Sequence, residues 1–142
     1  MSHQITCSII KPDVAEKGVA GEIIATLEAN EFRILGCKKV RLTTEQAEAF
    51  YAVHAERPFY GELVQFMTSG PVYVLCLQGE DAVKRYRALM GPTNSETARV
   101  EAPESLRSRF GTDLQCNAVH GSDSEENGIL ETDFFFSELD RV

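Results

Sequence analysis

The run PVYVLCL at residues 71–77 is the feature that most constrains the fold, because it is continuously apolar and directly follows Gly70. A short apolar run bounded by a glycine–proline signal predicts a buried strand at the centre of a sheet. Residues 4–10 alternate apolar and polar side chains and predict a first strand, which the KPD sequence at 11–13 ends. Residues 32–42 predict another strand with a bulge at Gly36, and residues 116–121 predict a short last strand.

The segments between these strands carry helical periodicity. Residues 19–30 place apolar side chains on one face, and residues 80–90 predict a helix that ends at Gly91. Two helices are predicted between the second and third strands, the first of them capped by Thr43 or Thr44 and the second, shorter one beginning near Tyr60. Ser122 and Glu125 form a predicted capping box for a last helix, which Gly128 is expected to weaken. Residues 91–115 are predicted to be a long surface loop with a helical turn near PESLRSRF, residues 103–110.

The order of these elements predicts the architecture. It contains the split βαββαβ plan, which is a ferredoxin-like α/β (α+β) sandwich with a four-stranded antiparallel sheet, an inserted helix pair and a C-terminal helix. A chain of 142 residues without repeats or a linker is expected to form one domain, residues 1–142.

Charge and cysteine usage exclude several classes of function. The formal net charge of −8 disfavours binding to a nucleic-acid backbone, although it allows a small basic pocket for a mononucleotide. No apolar run approaches the roughly 20 residues of a membrane span, and the first residues lack a signal-peptide layout, so we expect a cytoplasmic protein without a membrane partner. The four cysteines form no C-x-x-C pair and are predicted to be buried free thiols (Cys7, Cys37, Cys76, Cys116).

Side chains suited to a nucleotide are scattered along the chain. The sequence has no P-loop, no G-x-G-x-x-G and no H-E-x-x-H motif. It does offer donors for phosphates and a ribose, together with aromatic rings on which a base can stack (Lys11, Tyr51, Phe59, Arg87, Thr93, Arg107, Arg109, Asn117, His120). Taken singly, each of them has an ordinary structural interpretation as a surface charge, a packing ring or a core histidine. His3 and His54 keep that interpretation.

Several motifs together resemble one family. SIIKPD, GEI, FYAVHAERPFYGELVQFMTSGPV, LMGPTN and NAVHGSDS, in this order from about residue 5 to 136, are similar to the short bacterial nucleoside diphosphate kinases. The resemblance implies the same ferredoxin-like fold. It also implies transfer of the γ-phosphate of ATP, or of another nucleoside triphosphate, to nucleoside and deoxynucleoside diphosphates by a ping-pong mechanism through a phosphohistidine.

The resemblance assigns a role to each matching position. His120 would be the nucleophile, with Tyr51 beside it and with Ser122 and Glu131 orienting its ring. The nucleotide would be bound by Lys11 and Asn117 at the ribose hydroxyls, with Lys11 also near the phosphates, by Phe59 at the base, and by three phosphate ligands (Arg87, Thr93, Arg107). Mg²⁺ would arrive with the nucleotide rather than on protein side chains. The family forms homo-oligomers, and a tetramer is favoured here over a hexamer.

The chain departs from the family pattern at SETARVEAPESLR, residues 95–107, which is longer than usual. Arg109 and Arg99 therefore stay open as alternatives to Arg107 as the phosphate ligand. Two alternative functions are a regulatory phosphohistidine donor to proteins and a nucleotide-binding paralogue with reduced turnover. Retention of the complete set of residues argues against the paralogue.

Overall fold

The computed structural model describes residues 3–142 and centres on a four-stranded antiparallel sheet in the order β2-β3-β1-β4. The strands are β1 (His3–Ile10), β2 (Arg33–Val40), β3 (Val72–Glu80) and β4 (Val119–Gly121). The helices are α1 (Pro12–Glu16), α2 (Ala20–Ala29), α3 (Thr44–Phe50), α4 (Tyr60–Met67), α5 (Ala82–Met90), α6 (Ser95–Glu101), α7 (Leu106–Phe110) and α8 (Glu125–Phe135). Two short 3-10 helices cover Ala52–His54 and Glu138–Asp140.

The predicted sheet is confirmed. β3 is an inner strand that pairs with β1 and β2, and Cys7 lies opposite Cys76 in the register of β1 and β3. The register of β2 shifts between Ile34 and Gly36, so the predicted bulge is present. Thr43 rather than Thr44 caps α3, in a capping box with Gln46. The arrangement is the ferredoxin-like sandwich that the order of elements predicted.

Helices cover both faces of the sheet, which explains why residues 71–77 are apolar without alternation. Leu75 and Leu77 of β3 pack into one core cluster with the side chains of α2 and α5. Val72, Val74 and Cys76 point to the other face and pack with α3, α4 and the segment after α8. Because a strand alternates its side chains between faces, a strand buried on both sides needs apolar residues at every position.

The prediction of a loop over residues 91–115 is wrong at α6, whereas α7 lies where the helical turn was predicted. Asn94 caps α6 by accepting a hydrogen bond from the Glu96 N–H, and Ser105 caps α7 by accepting one from the Ser108 N–H. These helices are 7 and 5 residues long, too short to establish an apolar stripe that periodicity detects. The same reason hid α1, which begins at Pro12, directly after the lysine that follows β1.

The prediction that Ser122 caps the last helix is also wrong. Ser124 is the N-cap, and its hydroxyl accepts a hydrogen bond from the Asn127 N–H. The sequence offers two serines two residues apart, and only the path of the chain after β4 decides which of them reaches the first turn of α8.

The cysteine prediction is partly corrected. All four thiols are free, and Cys7 and Cys76 are buried as expected, but Cys37 is exposed and Cys116 is half-buried. Separately, none of the helices described within residues 3–142 is long and apolar enough to cross a membrane.

Candidate functional site

One cavity of about 650 Å³ brings together predicted site residues that lie up to 109 positions apart. It opens beside β4, between the C-terminal end of α5, α7 and the corner that joins α3 to α4. Eight of the ten residues assigned by resemblance line it (Lys11, Tyr51, Phe59, Arg87, Thr93, Arg107, Asn117, His120). The other two, Ser122 and Glu131, lie behind His120.

His120 sits on the edge strand β4, paired with Ile9 of β1. Its Nε2 lies 2.8 Å from Oε1 of Glu131 on α8. A carboxylate oxygen accepts, so Nε2 carries the ring proton in this hydrogen bond and Nδ1 keeps its lone pair. Among the hydrogen bonds of residues 3–142, Nδ1 has no partner. A half-buried imidazole with one fixed N–H and one free nitrogen is held in a single tautomer whose free nitrogen can act as a nucleophile.

Ser122 fixes the carboxylate of Glu131. The Ser122 side chain is fully buried, its hydroxyl accepts the Cys7 N–H at 3.0 Å, and it donates to Oε1 of Glu131 at 2.8 Å. The carboxylate therefore accepts two hydrogen bonds, one from His120 and one from Ser122. Ser122 is itself hydrogen-bonded to the backbone of β1. This placement gives Ser122 one role, support of Glu131, since Ser124 caps the helix.

Close backbone approaches set the position of these groups. Gly128 of α8 lies against the backbone of Ile5 and Thr6, and a Cβ at this position would collide with the Ile5 carbonyl oxygen. Its lack of a side chain, which the sequence analysis counted as a weakness of the helix, is what lets α8 bring Glu131 close to the sheet. On the other side of His120, Ala118 holds a positive φ of 74° that L-residues seldom adopt.

The cations of the cavity have polar but no acidic partners. Nζ of Lys11 donates to Oδ1 of Asn117 at 2.7 Å, and Nδ2 of Asn117 donates to the Thr93 carbonyl at 2.9 Å. The guanidinium of Arg107 donates to the carbonyls of Gly91 and Val119, while its buried Nε has no partner within the described part of the chain. None of the salt bridges formed by residues 3–142 involves these cations.

Burial and mutual repulsion perturb the same cations. Burial lowers the pKa of Lys11 to about 8, and the positive charge of Arg107 adds to that effect. Burial likewise lowers the pKa of Arg107, and Arg87 lowers it further. Although Glu62 also lines the cavity, none of the three positive groups forms a salt bridge with a carboxylate of residues 3–142, and together they suit a polyanion.

The two alternative arginines lie elsewhere. Arg99 donates to the carbonyls of Gly111 and Thr112 at 3.1 Å each and so fixes α6 to the loop after α7. Arg109 stacks over Phe110 and reaches the hydroxyl of Thr26. Neither lines the cavity, whereas Arg107 does.

Aromatic rings line the opposite wall. Tyr51 is buried, and its ring centroid lies 6.3 Å from that of His120. His54 lies between Tyr51 and Phe59, with ring centroids 6.5 and 5.5 Å away, and it lines the cavity. The interpretation of His54 as a structural residue stays a prediction, although the residue lies in the cavity wall. Phe59 is 44% exposed, which leaves its ring accessible to a ligand.

The sequence analysis also missed Leu114, which lines the cavity and is 60% exposed. An isolated large apolar residue in a polar segment is the signal that could have identified it. No group of three or more metal-ligating side chains suited to a metal ion occurs within residues 3–142. The donor set of the cavity suits phosphate oxygens rather than a bare cation.

Comparisons with known proteins agree with this geometry. The family model described as nucleoside diphosphate kinase matches residues 4–140. The nucleoside diphosphate kinase of Campylobacter curvus is 54% identical over 134 residues, 94% of this chain and 96% of the relative. That of Aquifex aeolicus is 50% identical over 142 residues, all of both chains.

Solved structures give the same result. A crystal structure of the Aquifex aeolicus nucleoside diphosphate kinase superposes with a TM-score of 0.97 at 50% identity, covering 99% of this chain and 100% of the other. The nucleoside diphosphate kinase of Halobacterium salinarum in complex with CDP superposes with a TM-score of 0.91 at 36% identity, covering 99% of this chain and 92% of that one.

Proposed function

This chain belongs to the nucleoside diphosphate kinase family, and from that premise we propose which of its residues carry the phosphoryl transfer. The protein is an enzyme of the phosphotransferase class that moves the γ-phosphoryl group of a nucleoside triphosphate to a nucleoside diphosphate. His120 is the proposed carrier. The observation that supports it is the 2.8 Å hydrogen bond from Nε2 to Glu131, beside a cavity lined with cations.

The reaction is proposed to proceed in two displacements. Nδ1 of His120 attacks the γ-phosphorus, an N–P bond forms, and the bond to the bridging oxygen breaks so that the nucleoside diphosphate leaves. The imidazole ring gains positive charge in this step, and the carboxylate of Glu131 at Nε2 stabilises that charge. A second nucleoside diphosphate then attacks the phosphohistidine with its terminal oxygen and regenerates the imidazole. Because Nδ1 enters as a lone pair, no separate base is needed.

Arg87, Thr93 and Arg107 are proposed to bind the phosphates, with Lys11 near them. Their charges are in place before the phosphoryl group moves, so they stabilise its developing charge without reorganisation. Mg²⁺ is proposed to enter as part of the nucleotide substrate, where it neutralises charge on the phosphate oxygens. The mutual hydrogen bond of Lys11 and Asn117 supports their proposed place at the ribose hydroxyls.

The base is proposed to lie between Phe59 and Leu114. Both side chains are exposed on the walls of the cavity. Stacking uses the π-face that every base has, which accounts for a kinase that accepts several nucleosides. Neither a purely regulatory phosphohistidine donor nor a paralogue with reduced turnover gains support, since all the groups that turnover needs meet in one cavity.

We also propose the state in which the enzyme works. The chain acts as one domain, residues 1–142, in the cytoplasm and without a membrane or nucleic-acid partner. It forms a homo-oligomer, a tetramer rather than a hexamer. The supporting observation is that β2 lies at the edge of the sheet, where the Val142 N–H donates to the Leu35 carbonyl and the rest of the strand can pair with another copy.

Labelling with γ-³²P-ATP tests the proposal. Wild-type protein is expected to acquire an acid-labile label that a chase with CDP, GDP or UDP removes into the corresponding triphosphate. His120→Ala is expected to acquire no label and Glu131→Gln to label at least tenfold more slowly. Label that persists in His120→Ala, or that cannot be chased from the wild type, would refute the assignment.

A further inference from the structure

Phe50, the last residue of α3, contacts the His120 imidazole but is not among the residues that line the cavity. The ring centroids of Phe50 and His120 lie 5.5 Å apart with their planes at 70°. Tyr51, the next residue, meets the same imidazole at 89°, and the rings of Phe50 and Tyr51 lie 4.9 Å apart. Two consecutive residues therefore form a corner in which the imidazole sits, each in an edge-to-face arrangement.

The position of Phe50 is fixed from behind by α8. Its ring centroid lies 5.5 Å from that of Phe134 and 5.2 Å from that of Phe135. The same helix carries Glu131, whose carboxylate binds Nε2 of His120. Phe50 of α3 therefore contacts both the imidazole and α8, the helix whose Glu131 binds Nε2.

The two residues of the corner differ in their relation to the nucleotide cavity. Tyr51 lines the cavity, whereas Phe50 is half-buried and is not among the residues of its wall. Any effect of Phe50 on phosphoryl transfer must therefore act through the imidazole and not through contact with the substrate.

We propose that Phe50 is a positioning residue for the transfer step and keeps the plane of the His120 ring in the orientation that directs Nδ1 into the cavity. A hydrogen bond at Nε2 fixes one atom of the ring but lets the ring plane swing about that atom. The ring of Phe50 packs against the imidazole with the two planes at 70°, and this contact restricts rotation of the imidazole plane. The inference rests on the proposed function, in which Nδ1 of His120 is the attacking atom.

Single-turnover labelling separates this role from substrate binding. The rate of phosphohistidine formation is measured over a range of ATP concentrations. In Phe50→Leu we expect the limiting rate to fall about tenfold, because small misplacements of a reacting atom are costly. The ATP concentration at half the limiting rate is expected to stay within about twofold of wild type. Phe50→Tyr keeps the ring and is expected to restore the rate.

Phe66→Leu is the matched control. Phe66 is a half-buried phenylalanine packed against the same core cluster as Phe50, and no ring contact with His120 is found for it among the described residues. It is expected to lose stability but to keep the wild-type limiting rate. If Phe66→Leu slowed the reaction as much as Phe50→Leu, or if Phe50→Leu kept the wild-type rate, the inference would be overturned.

Two further measurements test the proposal if Phe50→Leu folds poorly. Phe134 packs behind Phe50 and is 43% exposed, so Phe134→Leu is well tolerated and is expected to slow the limiting rate two- to threefold. ¹⁵N NMR of the His120 ring should show the tautomer protonated at Nε2 in both proteins, whereas the ring protons of His120 should change chemical shift in Phe134→Leu, because the Phe50 ring moves relative to them. An unchanged rate and spectrum in Phe134→Leu would contradict the role of Phe50. A wild-type protein that never labels would instead refute the role of His120.

Discussion

Lys11 is the residue whose charge the fold controls most strongly. Burial lowers its pKa from 10.5 to about 8, so the ammonium loses its proton as the pH rises through that value. The proposed ligand of Lys11 is an anion, and only the protonated form attracts it. A buried lysine that binds phosphate therefore makes nucleotide affinity depend on pH on the alkaline side of neutrality.

We expect the affinity for ADP to fall about tenfold between pH 7 and pH 9, because a charge-assisted hydrogen bond is lost. The last ionisation of a phosphate has a pKa of about 6, so the phosphates are largely ionised at pH 7 and add little to this change. Isothermal titration calorimetry at several pH values measures it. Lys11→Gln is expected to bind more weakly at pH 7 and to show a flat profile. Parallel profiles for the two proteins would show that another group titrates.

Ser122 and Ser124 offer a matched pair, since the structure gives them different tasks. Ser122→Ala leaves the buried Cys7 N–H unpaired and removes a donor from Glu131, so we expect it to lower the free energy of unfolding by about 1–3 kcal/mol and to slow labelling. Ser124→Ala removes only the cap of α8 and is expected to cost about 1 kcal/mol with an unchanged labelling rate. Urea unfolding and single-turnover labelling separate the two. Equal labelling rates would contradict the task assigned to Ser122.

At the scale of elements, the contact of α8 with β1 decides where Glu131 lies. Helix propensity alone predicts that alanine at position 128 strengthens α8, but the structure predicts the opposite. A methyl group there meets the Ile5 backbone, so either the helix or the strand must move.

Gly128→Ala is expected to lower the free energy of unfolding by about 1–3 kcal/mol, as overpacking does, and to slow labelling because Glu131 moves with the helix. Gly21→Ala in α2 is the control, since a Cβ at position 21 meets no atom within 4 Å. It is expected to stabilise by about 0.5–1 kcal/mol through helix propensity. Thermal unfolding of both variants tests the contrast, and a stabilised Gly128→Ala would show that the helix can shift freely.

For the molecule as a whole, a net charge of −8 coexists with a cavity that gathers Lys11, Arg87 and Arg107. The summed charge repels polyanions at long range, while a narrow cleft concentrates the field of its own cations. This combination explains how an acidic protein can bind a nucleotide without affinity for a nucleic-acid backbone.

The proposed tetramer is tested on the whole molecule. Light scattering at micromolar concentration is expected to give four times the mass of one chain. The physical reason is the edge position of β2, whose backbone groups can pair with another copy except at Leu35, where the carbonyl accepts the Val142 N–H. A mass of one or six chains would contradict the tetramer and leave the catalytic assignments unaffected.

Much of the fold could be predicted because its main signals are local. Each strand signal lies within a few neighbouring residues. Examples are the apolar run at 71–77, the alternation at 4–10 and the glycine of β2. The elements that were missed, α1 and α6, are too short for periodicity, and α7 was predicted only as a helical turn. The caps of α6 and α7, Asn94 and Ser105, are visible in the sequence but are also common in loops.

The sequence by itself determined the order of the four strands and of the longer helices and, through motifs such as NAVHGSDS, the residues that match one family. Only the tertiary structure decided which of three arginines lines the cavity, which serine supports Glu131, and that His54, Leu114 and Phe50 belong around the site. The physical reason is the distance along the chain over which each interaction acts. Capping and periodicity act within one or two turns of chain, whereas the hydrogen bond between Lys11 and Asn117 or the approach of Gly128 to Ile5 exists only after distant segments have packed.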